Sequence, residues 1–121
     1  MITVMEKSTS GMLAVHATGK LTDDDYKDIW IPAQEAVIER NGKARALLYM
    51  DADFKGWELK AMWQDAKFGL RHRKDFSKLA VVGGPDWARW GVKLGELLMD
   101  CEVRLYEPER LGEAMTWATA P

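Results

Sequence analysis

Two stretches, ARALLYMD (44–51) and KLAVVGG (78–84), are apolar almost from end to end, with no alternation of apolar and polar positions. A strand wetted on one side alternates, whereas a strand covered on both faces does not. Each run is followed by a segment with apolar residues at three-and-four spacing, the mark of a helix. Buried strands joined through helices constrain this chain to an α/β architecture with a mostly parallel sheet and right-handed crossovers.

The remaining elements fit around that centre. ITVMEK (2–7) and MLAVHATG (12–19) read as two strands of a hairpin, with Leu13, Val15 and Ala17 alternating against Met12, Ala14 and His16. In LTDDDYKDIW, Thr22 is placed to cap a helix and Asp25 stands at the capping-box distance. Tyr26, Ile29, Trp30, Ala33 and Val37 then form one face of a first helix, which Pro32 is expected to break or kink. A second helix is predicted from Trp57 to about Lys74 and a third from Pro85 to about Asp100. EVRLYE alternates as a strand nearer an edge does, and a last helix begins at Pro108. The order is ββαβαβαβα, and residues 1–121 show no linker or second domain.

Composition narrows the function classes. A formal net charge of -2 provides no positive field to draw the chain onto nucleic acid. No apolar run approaches the roughly 20 residues of a membrane span, and the N-terminus lacks the pattern of a signal peptide, so a cytoplasmic location is expected. A single cysteine, Cys101, and two histidines, His16 and His72, offer neither an internal disulfide nor a metal-ligand spacing. No metal or cofactor is expected: GGPDW (83–87) could present backbone donors to an anion, but it lacks phosphate-loop and dinucleotide spacing.

The helix faces carry more information. On the second helix, Leu59, Met62, Trp63, Ala66 and Leu70 form a stripe expected to cover the sheet, with Trp57, Ala61 and Phe68 nearly opposite, beside Asp65 and His72. The latter set calls for a partner or ligand. On the third helix Trp87, Trp90, Gly91, Leu94 and Leu98 make a stripe that Ala88, Val92, Gly95 and Met99 widen. Glycine is a poor helix former, so Gly91 and Gly95 suggest the close approach of another element. Met62 and Met99 read as adaptable packing.

Four blocks, GKLTDDDYKDIWIPAQEAV, ALLYMDADFKGWELKAMWQDAKFGL, DFSKLAVVGGPDWARW and EVRLYEPERLGEAMTWA, resemble successive parts of the bacterial SpoIIAA-like family, grouped with STAS and Sec14-type lipid-binding domains. The most specific marks are Asp25-Tyr26 followed by Pro32, the Trp57, Trp63, Asp65, Phe68 pattern, the Ala80–Gly83 strand before Trp87, and Trp117. The resemblance implies a SpoIIAA-like β-α superhelix: a five-stranded, mostly parallel sheet with an antiparallel N-terminal strand. In the anti-anti-sigma relatives a serine at the start of the second helix accepts phosphate and switches partner binding. Asp51 fits the strand-end aspartate of that pattern, but no Ser or Thr occurs between Asp51 and Gln64, so the phosphoswitch serine is absent.

The expected function is therefore a non-catalytic interaction module, a homodimer joined through apolar faces of the second and third helices. Asp53, Trp57, Ala61, Asp65, Phe68, Trp87 and Trp90 are the candidate partner- or ligand-binding residues. A carrier of a small apolar ligand or lipid is the alternative. An enzyme using Asp51 or Asp53 is a third reading, because loops at the carboxyl ends of parallel strands bind ligands. DADFKG (51–56), however, supplies no nucleophile-base pair and is well explained as a strand-to-helix turn.

Overall fold

The computed structural model describes residues 1–6, 8–9, 11–98 and 100–120, without the side chain of Leu98. Its five-stranded sheet has the order β1 (Ile2–Val4), β2 (Met12–Ala17), β4 (Ala44–Met50), β6 (Phe76–Gly83), β7 (Glu102–Tyr106). β1 runs antiparallel to β2, with Val4 opposite Val15, and the other three pairings are parallel. This is the predicted mostly parallel sheet with one antiparallel N-terminal strand. The helices are α1 (Asp23–Asp25), α2 (Ile31–Asn41), α3 (Leu59–Arg71), α4 (Asp86–Gly95) and α5 (Leu111–Thr119).

The first helix starts where its sequence says. Thr22 accepts from the Asp25 N–H, and the Asp25 carboxylate accepts from the Thr22 N–H at 2.8 Å. Pro32 neither breaks nor ends it. Residues Tyr26–Trp30 instead form a π turn in which the Ile31 N–H reaches back to the Tyr26 carbonyl. Widening the helix by one residue just ahead of Pro32 accommodates a ring that would otherwise strike the preceding turn, so the expected break becomes a bulge.

The sheet is covered unequally. On one face α2, α3 and α4 lie over a core that includes Val15, Leu48, Val81 and Val103, to which they contribute Val37, Ala61, Phe68 and Ala88. On the other face α5 alone sets Ala114 and Ala118 against Met12, Ala14, Ala80 and Val82, all with essentially no exposed surface. Small residues on both sides let helix and sheet approach closely and leave little spare volume.

A second, two-stranded sheet that the sequence did not reveal joins β3 (Lys20–Leu21) to β5 (Gly56–Trp57) in parallel. Both strands are too short to show a period. β3 leads into α1 and β5 into α3, so their pairing sets two helix N-termini side by side. At the β7 edge, the Val103 N–H donates to Glu96 (2.8 Å) and its carbonyl accepts from Lys93 (2.6 Å). This ion pair satisfies edge groups that an adjacent strand would otherwise seek.

The faces of α3 are the reverse of the expected ones, while Trp87 and Trp90 of α4, expected on an interaction face, do point outward. Ala61 and Phe68 of α3 and Ala88 of α4 are buried, whereas Leu59, Met62, Trp63, Leu70, Trp87, Trp90, Leu94 and Leu97 are between 53% and 84% exposed. The stripe expected to cover the sheet points outward, and the set expected to need a partner points in. Met99, read as part of the α4 stripe, lies outside the described residues. The glycines also differ from expectation: a Cβ built at Gly91 or Gly95 meets no atom within 4 Å, so no close approach requires them.

Candidate functional site

The DADFKG segment is a turn. The Asp51 side chain accepts from the Asp53 N–H at 2.9 Å and the Asp51 carbonyl from the Phe54 N–H at 3.1 Å, which ends β4 and reverses the chain. The other Asp51 oxygen meets His16 Nε2 at 2.8 Å. Contacts from His16 and Thr18 and the Asp53 N–H hold its carboxyl below the usual carboxylate range, outweighing its desolvation. His16 is thus a strand histidine with a bonding partner at the end of the neighbouring strand.

A deeper, more enclosed feature lies between α3 and α4. A cleft of about 600 Å³ opens there and runs down to the core. Tyr26, Trp30, Trp57, Phe68 and Trp87 supply aromatic walls, and Leu48, Leu79 and Val103 extend the apolar lining. Gly91 and Gly95 line it too, so the absent side chains leave space in the cleft rather than room for a neighbouring helix. Lys20 and Lys55 lie at the end near β3 and β5, with Glu96 and Cys101 among the remaining lining residues. Burial and the neighbouring Glu96 and Asp100 push the Cys101 thiol up to about 11, so it stands as a neutral group.

Several local devices shape this cleft. Gly56 has φ of +108°, and a Cβ there would lie 2.9 Å from the Trp87 ring, so glycine allows that indole to close over β5. Trp57 and Trp87 meet edge to face with centroids 6.0 Å apart. The paired β3 and β5 bring Tyr26 to Trp57, whose Nε1–H donates to the Tyr26 hydroxyl at 2.8 Å. Gln64 donates to Asp23 at 2.9 Å and ties the two helices further.

The Tyr26 hydroxyl also bonds the Asp65 carboxyl. Desolvation by the neighbouring cleft walls raises the Asp65 pKa to about 6, opposed by the bond from Tyr26. The residue nonetheless remains exposed, since the cleft is open to water, and that water tempers the rise. Tyr26 itself, buried and beside a carboxylate, is raised well above its ordinary value. The Trp30 indole N–H finds no acceptor among the described residues, leaving an unmet donor in a residue of the cleft wall.

Of the seven predicted site residues, the structure brings Trp57, Asp65, Phe68 and Trp87 together in the cleft. Ala61 is fully buried in the core, Trp90 is 63% exposed outside the cleft lining, and Asp53 is exposed on its turn. Sequence reasoning missed Tyr26, Trp30, Lys20, Lys55 and the two glycines as lining residues. Asp25-Tyr26 stood out as a mark of resemblance, but the tie to Trp57 depends on β3–β5 pairing.

A second, shallower depression follows β7 and α5. There Trp117 lies under Lys78 and Arg104, whose charged ends are 5.0 and 4.6 Å from its ring centroid. Those cations are already engaged: Lys78 donates to two carbonyls near the end of α5, and Arg104 pairs with Glu102. Among the described residues no group of His, Cys, Asp and Glu side chains could hold a metal ion, and no helix is long and apolar enough to cross a membrane.

The class these features define is an α/β domain built on a β-α superhelix, with a cleft between two of its helices. A family model described as SpoIIAA-like matches residues 12–119, and the chain belongs to that family. A solved structure similar to it is an uncharacterised protein of the DUF3478 family with a SpoIIAA-like fold, from Shewanella loihica PV-4. The two share 29% identity and a TM-score of 0.76 over 97% of this chain and 93% of that one. No curated protein matches.

Proposed function

We propose that this chain works as a single binding domain, without chemistry of its own, and that the α3–α4 cleft takes a small, largely apolar ligand. The observation that carries the reading is the cleft itself: about 600 Å³, with aromatic walls and two glycines whose missing side chains leave it open. Ligand sites are typically concave and apolar with a few convergent polar groups, and Tyr26, Trp57 and Asp65 are such groups here. Trp57 and Phe68 act as walls of the cleft rather than as anchors of a subunit interface. A cytoplasmic setting suits the single cysteine.

Native mass spectrometry of freshly purified protein, followed by thermal shifts across a panel of small apolar molecules, tests this. Retained extra mass, or stabilisation by panel members, supports it. An apo spectrum with no shift anywhere in the panel overturns it.

A homodimer is the second reading, favoured by the seven large apolar side chains exposed on α3 and α4. Patches of that kind mark association surfaces. Sedimentation of the wild type as a dimer, and of the Trp63→Lys, Trp90→Lys double variant as a monomer, supports it. A monomeric wild type at high concentration removes it.

A further inference from the structure

Most acidic side chains of this protein that reach into its structure have a basic side chain or a backbone donor against them. Asp25 meets the N-terminal ammonium, Asp51 meets His16, Asp75 meets His72, and Glu96 meets Lys93 and the Val103 N–H. Asp65 differs. Among the described residues its polar partner is the Tyr26 hydroxyl, and no cation pairs with it. It stands in a cleft walled by Tyr26, Trp30, Trp57, Phe68 and Trp87. Asp65 faces the water of the cleft with no counter-charge among the described residues, so its charge is free to meet that of a ligand.

Aromatic faces and an unpaired carboxylate share one preference. The negative face of an aromatic ring attracts an organic cation, and a carboxylate accepts its N–H donors. Tyr26 cannot take over the carboxylate's role, since its hydroxyl accepts from Trp57 and donates to Asp65. We infer that the cleft recognises an amphiphilic amine, whose ammonium pairs with Asp65 among the aromatic rings and whose apolar body fills the space beside Gly91 and Gly95. This inference rests on the ligand reading above and adds the chemistry of the head group.

Other charges face this position. Asp23 and Asp25 of α1 lie on the Tyr26 side, Lys20 and Lys55 lie at the β3–β5 end, and Glu96 and Cys101 lie beyond α4. The two lysines offer the competing prediction, a ligand with an anionic head. Because burial raises the Asp65 carboxyl toward 6, recognition of an amine strengthens as pH rises from 5 to 7 and Asp65 ionises.

The test uses three probes with the same eight-carbon chain, n-octylammonium, n-octanol and n-octanoate, titrated into the full chain by calorimetry at pH 7. The ammonium is expected to bind at least about tenfold more tightly than the alcohol, with the carboxylate weakest. Asp65→Asn is expected to abolish that preference, and the wild-type preference shrinks at pH 5. Equal affinity for all three, or tightest binding of octanoate, overturns the ammonium and leaves the cleft reading standing. Failure of all three to bind overturns both. The wild-type comparison decides the matter even if Asp65→Asn does not fold.

Discussion

Gly91 provides a sharp test of what the cleft is. It lies inside α4 with helical backbone, and a Cβ added to it meets nothing within 4 Å. Replacing it with alanine removes the propensity penalty of glycine in a helix interior, about 1 kcal/mol, with no overlap to offset the gain. For a 121-residue chain that corresponds to a rise in Tm of about 4 °C. Urea denaturation followed by circular dichroism should show a higher midpoint at an unchanged slope. If Gly91→Ala instead destabilises, the glycine serves a close packing contact and the cleft is closed in solution. The companion variant Gly91→Leu sends a larger side chain into the same space. It is expected to keep wild-type stability while losing uptake of apolar probes.

Gly83→Ala should behave in the opposite way: with φ of +74° and a Cβ 2.4 Å from the Met50 carbonyl oxygen, it is expected to cost about 3 kcal/mol, read from the same urea curves. His72 is bonded through its two ring nitrogens to Asp75 at 2.8 Å and Glu35 at 3.2 Å, joining α2 to the end of α3. His72→Ala is expected to lose about 2 kcal/mol, and a loss below about 0.5 would show the bridge to be incidental. Asp65 binds its proton more tightly folded, at about 6, than in the unfolded chain near 3.8, so its contribution to stability declines as pH rises between those values. The wild type should therefore lose stability relative to Asp65→Asn across that window, and parallel pH profiles would refute the raised value.

The strand order was legible because the signals for it are local. ARALLYMD and KLAVVGG lack alternation since helices lie on both sides of them, and Thr22 and Asp25 make the cap their spacing suggests. The faces of α3 were misread for a physical reason. In α3 most of the large apolar residues, among them Met62, Trp63 and Leu70, lie outside, while small Ala61 faces the sheet. A pattern weighted by side-chain size therefore selects the wrong face. The π turn was hidden because Pro32 announces a disturbance without specifying its form. The cleft depends on two-residue strands and on two glycines that adjoin empty space, and neither leaves a periodic trace.

The unequal covering of the sheet gives the molecule two different tolerances for change. Beneath α5, Ala14, Ala80, Ala114 and Ala118 have no exposed surface, so an added carbon there must displace backbone. On the opposite side a substitution beside the cleft changes what the cavity admits before it disturbs the sheet. If the cleft takes the proposed ligand, variation among sequences of this shape is expected to separate by face, with substitutions on the α5 side limited by folding and those on the α3–α4 side by the ligand. A library confined to the exposed cleft positions, such as Met62, Trp87 and Gly91, would test recognition without touching the buried core.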